Sequence, residues 1–435
     1  MIKYVWGYFM KYIKRIIDKD LDIRVRAFGA ISIVGPKGCG KTRTAKERCN
    51  TIIEFEDEEK RDGYISVAEN SPSLFLKNKT PILFDEWQDA PKIWGTIRKE
   101  CDDNDHFGDY FLTGSSTKKI NTAHSGTARI SEIEMLPMSL YEFGKSNGSI
   151  SVKDLFDNPN MKIEAKSDLS IEELIKVTCT GGWPRMLAIK DDAAKLLFAK
   201  DYFNQICKED ICRIDGTKRN PEITKAILKS YARNIGTLCK MDNIYKDVNS
   251  TNPMSEPTFY DYIEKLKQLC VIKDYEAWCP QIRSEKSLRA PKKHMFIDPS
   301  IAIAALDLSP SYFYNDLDLF GHIFESLVYR DLTVYSAGLR GVFSHYHDKF
   351  DLEVDGVLHL QDGRYALIEI KLGSSGIKAG EKNLLKIRDL IKQRNQKKDV
   401  LPIREPDLMI IITGGEYAYS LESGVKIIPI GCLKD

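Results

Sequence analysis

At 435 residues, 43% hydrophobic and 29% charged, the chain has the composition of an ordinary folded protein and the length for two to four domains. A formal net charge of +1 excludes a global field drawing the chain to nucleic acid or a membrane, so any basic patch must be local. Ten cysteines with no C-x-x-C pair, and seven histidines without zinc-finger spacing, exclude a zinc module and point to reduced thiols.

The N-terminus, MIKYVWGYFMKYIKRII, has an apolar run between Lys3 and Lys11. It is too short to span a bilayer and lacks a small-residue cleavage site, so it is expected to pack into the first domain as a helix or strand. The expectation is a cytoplasmic protein with no membrane partner. FGAISIVGPKGCGKTRTAKERCN follows, with an apolar strand at Ala30–Val34, a glycine loop and a helix from about Lys41. The loop Gly35, Pro36, Lys37, Gly38, Cys39, Gly40, Lys41, Thr42 is G-x-x-x-x-G-K-T. Its backbone N–H groups and the helix N-terminus would cradle phosphates, Lys41 would reach the β- and γ-phosphates, and Thr42 would ligate Mg²⁺. ATP and Mg²⁺ are therefore the expected cofactors.

TPILFDEWQDAP puts Asp85 and Glu86 directly after a buried strand, Ile82–Phe84. Such acids could cap the next helix. Beside a phosphate loop, Asp85 would hold the Mg²⁺ shell and Glu86 would polarise the attacking water. The strand DYFLTGSST ends in Thr113, Ser115 and Ser116, and AHSGTARISEIEMLPMSLYEF carries Arg129 at a strand start. Arg129 could stabilise transition-state charge on its own nucleotide or a neighbour's, or be a surface arginine. GKSNGSISVKDLFDNPNMKIEAKSD reads as an irregular excursion, and CTGGWPRMLAI as a hinge into a helical lid.

From Pro221 the apolar spacing becomes helical, with Ile223, Ile227, Tyr231 and Ile235 on one face, then a shorter helix. A third helix, capped by Ser255, has Phe259, Ile263, Leu266 and Cys270 inward. The strands VIKDYEAW and KKHMFIDPS complete the pattern of a winged helix. Their loop, CPQIRSEKSLRAPKK, sets Arg283, Lys286, Arg289, Lys292 and Lys293 against one acid, Glu285, which suits contacts to duplex DNA phosphates. The third helix lacks arginine or asparagine for reading base edges, so such binding would be of low sequence specificity, and the module could equally hold a protein or act as a spacer.

The tail reads as a helix holding Glu325, the strand VFSHYHDK, and the hairpin LEVDGVLHL and RYALIEIKL. Alternation puts Glu369 and Lys371 on one strand face. Asp355 and Glu369 would share Mg²⁺, Lys371 would activate water, and Glu325 would support them, as in PD-(D/E)xK nucleases. The same residues could instead be a cross-strand ion pair or the relic of a nuclease. His345 and His347 read as ordinary strand residues.

These stretches, with YARNIGT, KEDICRIDGTKRNP, LRAPKKHMFIDPSIAIAAL and FGHIFESLVYRDL, resemble in order the prokaryotic AAA-type P-loop ATPases that carry a C-terminal domain of unknown function related to restriction endonucleases. The resemblance runs over nearly the whole chain and implies ATP binding. It makes Thr113 the first choice, with Ser115 second, for the polar residue that touches the γ-phosphate or the attacking water in AAA-type ATPases.

The expected architecture is multidomain α/β. It comprises a P-loop AAA-type core at 1–165, a helical lid at 166–215, a winged helix at 216–310 and an α+β restriction-endonuclease-like domain at 311–435. The expected function is ATP hydrolysis coupled to the winged-helix and nuclease-like modules. Two alternatives stand beside it: an ATP-gated Mg²⁺-dependent DNA nuclease, and an ATP-dependent switch that binds a protein partner through an inert tail. A homo-oligomer is compatible with each.

Overall fold

The computed structural model describes residues 11–114, 126–279, 291–348, 352–397 and 402–435. The expected N-terminal helix or strand, Ser115 and Ser116, and Arg283, Glu285, Lys286 and Arg289 of the wing loop lie outside the described residues.

Five short apolar segments make the first sheet: β1 (Ala30–Val34), β2 (Thr51–Glu54), β3 (Ile82–Asp85), β4 (Tyr110–Gly114) and β5 (Ile130–Glu134). They are parallel, in the order β2-β3-β4-β1-β5. Side-chain alternation explains why the runs are continuously apolar. Phe84 and Leu112 enter a core with Phe55, Phe75 and Ile97 on one face, while Leu83 and Phe111 enter a core with Leu21, Ile33 and Met135 on the other. Because β4 lies between β1 and β3, its end falls between the glycine loop and the two acids.

The excursion after this sheet is ordered. It supplies β6 (Ile150–Ser151) and β7 (Glu164–Lys166), each of which pairs with the end of the chain. The stretch expected as a lid follows as helices Ile171–Thr180 and Asp192–Gln205, whose first turns are capped by Ser170 and Asp191. The middle segment has helices Pro221–Arg233, Met241–Thr251 and Glu256–Gln268, then an antiparallel pair, β8 (Ile272–Tyr275) and β9 (Lys293–Phe296). Ser255 accepts the Thr258 N–H at the third helix's start, and Phe259, Ile263, Leu266 and Cys270 are buried.

In the tail, a helix at Leu317–Gly338 precedes the antiparallel β10 (Gly341–His347), β11 (Glu353–Leu360) and β12 (Tyr365–Lys371). Helix Ile377–Asn395 then carries the chain to β13 (Leu408–Thr413), parallel to β12. After it come β14 (Tyr417–Ser420), β15 (Lys426–Pro429) and β16 (Leu433–Lys434). The second sheet has the order β10-β11-β12-β13-β15-β14-β7, and β16 pairs with β6. One apolar core joins lid, middle segment and tail through Trp183, Phe203, Tyr231, Phe259, Phe296 and Tyr329. Among the described residues no helix is long and apolar enough to cross a membrane.

Candidate functional site: the phosphate loop and its acids

The glycine loop leaves β1 at Gly35, whose φ of +153° favours glycine and where a Cβ would collide with the Met135 carbonyl. It closes at Gly40, φ +110°, and helix Lys41–Lys46 begins. Lys41 is buried, and its Nζ donates to the Gly35 and Pro36 carbonyls at 2.9 Å each. The Thr42 hydroxyl donates to Asp85 Oδ1 at 2.8 Å, and the buried Thr113 hydroxyl donates to the same oxygen. Lys41, Thr42, Asp85 and Thr113 thus converge from two neighbouring strands and the loop helix.

Glu86 sits beyond Asp85 in a left-handed backbone conformation, φ +52°, which turns it off the strand axis. Its carboxylate accepts from Gln88. Burial pushes the Glu86 carboxyl up, against the lowering influence of Gln88 and Lys41. It lines a polar cavity of about 350 Å³ with Lys37, Arg61, Gln88, Asp210 and Arg213. On the loop's other flank an apolar cavity of about 200 Å³ is lined by Tyr12, Ile13, Gly40, Met138, Pro184 and Leu187.

Other contacts hold the loop, and sequence reading missed them. Arg15 is buried, donates to the Cys39 carbonyl at 2.8 Å and to the Leu136 carbonyl at 2.8 Å, and pairs with Glu142 at 3.0 Å. From the lid, Asp210 pairs with Lys37 at 2.7 Å, and the Tyr202 hydroxyl donates to the Lys37 carbonyl at 3.0 Å. No motif marks Arg15. Asp210 lies in KEDICRIDGTKRNP, a stretch visible in the sequence only as part of a resemblance.

Arg129 is not part of this convergence. Ala30 is in register with Ile130, so Arg129 lies at the end of the sheet where β1 begins, while the loop leaves where β1 finishes. The strand between them is about 15 Å long. Arg129 pairs there with Asp102 and is half-exposed. That position sets Arg129 apart from the residues of the glycine loop.

The tail residues do come together. Asp355 Oδ2 accepts the Ile370 N–H at 2.7 Å and Lys371 Nζ at 2.9 Å, and Lys371 Nζ lies 2.7 Å from Glu369 Oε2. Glu369 is buried and also accepts from Asn383 at 2.7 Å. Burial, then Asp355, pushes its carboxyl up to about 7. Glu325 takes a different partner, Lys293 of β9, whose Nζ is also 3.6 Å from Glu353. Lys293 is buried, and Lys292 pairs with Glu276 at 2.5 Å. Lys293 therefore cannot meet a phosphate as the wing reading expected. Among the described residues no group of three or more His, Cys, Asp or Glu side chains is arranged to hold a metal.

A glycine phosphate loop, an acid pair after a buried strand and a polar residue on the strand between them define the front of the chain as an AAA/Walker-type ATPase core. In agreement, residues 27–144 match the family model described as "AAA domain". Residues 171–312 and 320–433 match two models described as domains of unknown function, DUF8612 and DUF4143. No curated protein matches the chain. Among solved structures the chain is similar to the Walker-type ATPase PABY2304 of Pyrococcus abyssi, at 15% identity and a TM-score of 0.41, over 68% of this chain and 96% of that one.

Proposed function

We propose that the chain hydrolyses ATP and couples nucleotide state to its middle segment and tail. The observation that carries this reading is the convergence of Thr42 and Thr113 on Asp85 Oδ1 beside Lys41. The Thr42 and Asp85 oxygens, 2.8 Å apart, are hard donors of the kind Mg²⁺ takes, and these two residues would hold it. The ion would neutralise charge on the phosphates. Lys41 would exchange its two loop carbonyls for the β- and γ-phosphates, and Glu86, its carboxyl raised by burial, would orient water and accept its proton. The apolar cavity beside Gly40 would take the nucleotide's base between Tyr12 and Pro184. Lys41→Ala is expected to abolish nucleotide binding or hydrolysis, measured by calorimetry and phosphate release. Full activity in that variant would sink the reading.

The middle segment, three helices and an antiparallel pair, is read as a winged helix that could lie on duplex DNA. The tail's Asp355, Glu369 and Lys371 support a second reading, an ATP-gated Mg²⁺-dependent DNA nuclease of PD-(D/E)xK type. Cleavage of plasmid DNA in Mg²⁺ or Mn²⁺ that disappears in Asp355→Ala is the expected result of that reading. Equal cleavage by both proteins, or none by either, leaves the tail as an ion-paired module. It would then serve an ATP-dependent switch that binds a protein partner. Arg129, at the rim of the sheet, would act only on a neighbouring subunit's nucleotide in a homo-oligomer.

A further inference from the structure

Lys293 opens β9 of the middle segment, in register with Tyr275, yet its side chain ends inside the tail. It is 1% exposed, and its Nζ donates to Glu325 of helix Leu317–Gly338, lies 3.6 Å from Glu353 of β11 and stands 5.4 Å over the Tyr329 ring. Burial alone would lower the ammonium's pKa; Tyr329, Glu325 and Asp355 together raise it. Lys371 holds the other pair of carboxylates, Asp355 at 2.9 Å and Glu369 at 2.7 Å. Two ammonium groups thus divide four carboxylates between them. The division accounts for the finding that, among the described residues, no three such side chains are arranged to hold a metal. His345 is a separate sign of a ligand site. β10 bulges there, between the pairs Ser344–Val357 and Tyr346–Val354, which sets His345 across from Asp355 and Gly356. The ring is fully buried, and its Nε2 lies 3.1 Å from the Pro291 carbonyl, which only accepts. The ring proton therefore sits on Nε2, and Nδ1 keeps a lone pair with no partner. Burial, then Lys293, hold the His345 pKa down to about 4, so the imidazole is neutral, the form in which histidine ligates.

We infer that Lys293 is a built-in counter-ion standing where a divalent cation would enter among Glu325, Glu353 and Asp355, so that the middle segment keeps the tail's cation site shut. The inference rests on the second reading above, of the tail as a Mg²⁺-dependent nuclease, in its cation-binding part only. Carboxylates gathered this closely cannot all stay charged without a cation. An ammonium tethered to β9 supplies that charge from within the chain. A divalent ion would need the same oxygens at about 2.1 Å and cannot share them with an ammonium. Lys371 can stay, because it sits on its own pair, Asp355 and Glu369. Withdrawal of β9 from helix Leu317–Gly338 would take Lys293 out and leave an uncompensated negative cluster beside the neutral His345.

The test is Mn²⁺ binding to the full chain at pH 8, followed through the spin-resonance signal of the free ion. Any Mn²⁺ held at Thr42 and Asp85 is common to every variant. Lys293→Met and Lys293→Gln are each expected to gain one Mn²⁺ per chain, bound about tenfold or more tighter than the native tail binds it. Adding Asp355→Ala to Lys293→Met should remove the gain, and Lys293→Arg, which keeps the charge, should show none. Thermal unfolding gives a second readout, in which Mn²⁺ raises the Tm of the two neutral variants by more than that of the native chain. Equal Mn²⁺ binding by the native chain and both neutral variants, a gain that survives Asp355→Ala, or a gain in Lys293→Arg as large as in Lys293→Met would each overturn the inference. So would neutral variants that stay unfolded with Mn²⁺ present. Plasmid cleavage separates this inference from the reading it rests on. If Lys293→Met takes the extra Mn²⁺ and leaves DNA intact, the nuclease reading fails and the role of Lys293 stands.

Discussion

Lys293 meets the residue-scale consequence of burying charge. Its ammonium is buried beside Glu325, near Glu353, and over the Tyr329 ring at 5.4 Å. Burial, opposed by Lys293 and reinforced by Asp355, pushes the Glu325 carboxyl up to about 7 from an ordinary 4.5. The native state therefore holds a proton that the unfolded state releases. This group's contribution is greatest below the unfolded value and is lost as pH rises through the native one. Lys293→Met removes the counter-charge and raises the carboxyl further. At pH 8 the variant must bury a bare carboxylate or take up a proton against the solvent, a cost of about 3 kcal/mol. Towards pH 6 the carboxyl is protonated and the cost shrinks. Urea unfolding of the native chain and of Lys293→Met at pH 6 and pH 8 checks this, and a gap that does not widen with pH refutes it. The pairing also explains why KK at the end of the wing loop misleads. In a string of residues both lysines look like surface cations, yet β-alternation turns Lys293 inward and Lys292 outward.

At the scale of elements, legibility followed the range of the interactions involved. The glycine loop was readable because Gly35, Gly40, Lys41 and Thr42 act through local backbone geometry, which a short window contains. Asp85 was readable for the same reason, at the end of an apolar strand, whereas Thr113 was singled out through the family resemblance. The three middle helices were readable from periodicity and from caps such as Ser255. By contrast, β6 and β7 are two and three residues long, and their partners β16 and β14 lie more than 250 residues away. Nothing local distinguishes Glu164–Lys166 from loop, since what makes it a strand is the edge that β14 presents. Arg129 shows the converse limit. Its place at a strand start was legible, but the end of the sheet it occupies depends on the register of β5 with β1. The tail's Asp355, Glu369 and Lys371 were found together as alternation required, whereas Glu325 was drawn off by a lysine from another element.

Over the whole molecule, one guanidinium joins the stretch around Gly182 and Leu140 to the tail. Arg330, on helix Leu317–Gly338, is buried and donates to Asp298 at 2.9 Å and to Asp331 at 2.9 and 2.7 Å. Asp298 also accepts the Gly182 N–H at 2.9 Å, in the stretch expected as a hinge, and Ser300 beside it accepts the Trp183 indole N–H at 3.1 Å. Asp331 accepts the Leu140 N–H at 2.9 Å, in the segment where Glu142 holds Arg15 against the phosphate loop. A shift of the Gly182 stretch when nucleotide binds must therefore either carry Asp298 and Arg330 with it or break the buried Gly182 N–H bond to the Asp298 carboxylate, which costs about 1–3 kcal/mol. The cheaper course moves the tail helix, whose residue Tyr329 donates to the Asp355 carbonyl. Arg330→Lys separates the two roles of this arginine, because lysine keeps the charge but cannot fork between two carboxylates. The variant is expected to fold, to bind ATP with near-native affinity, and to lose the nucleotide-dependent change in amide hydrogen exchange across residues 353–371 that the native chain should show. Exchange measured with and without ATP in both proteins decides it. An identical nucleotide response in Arg330→Lys would mean that the lid reaches the tail by another route, through the apolar core around Trp183 and Tyr329.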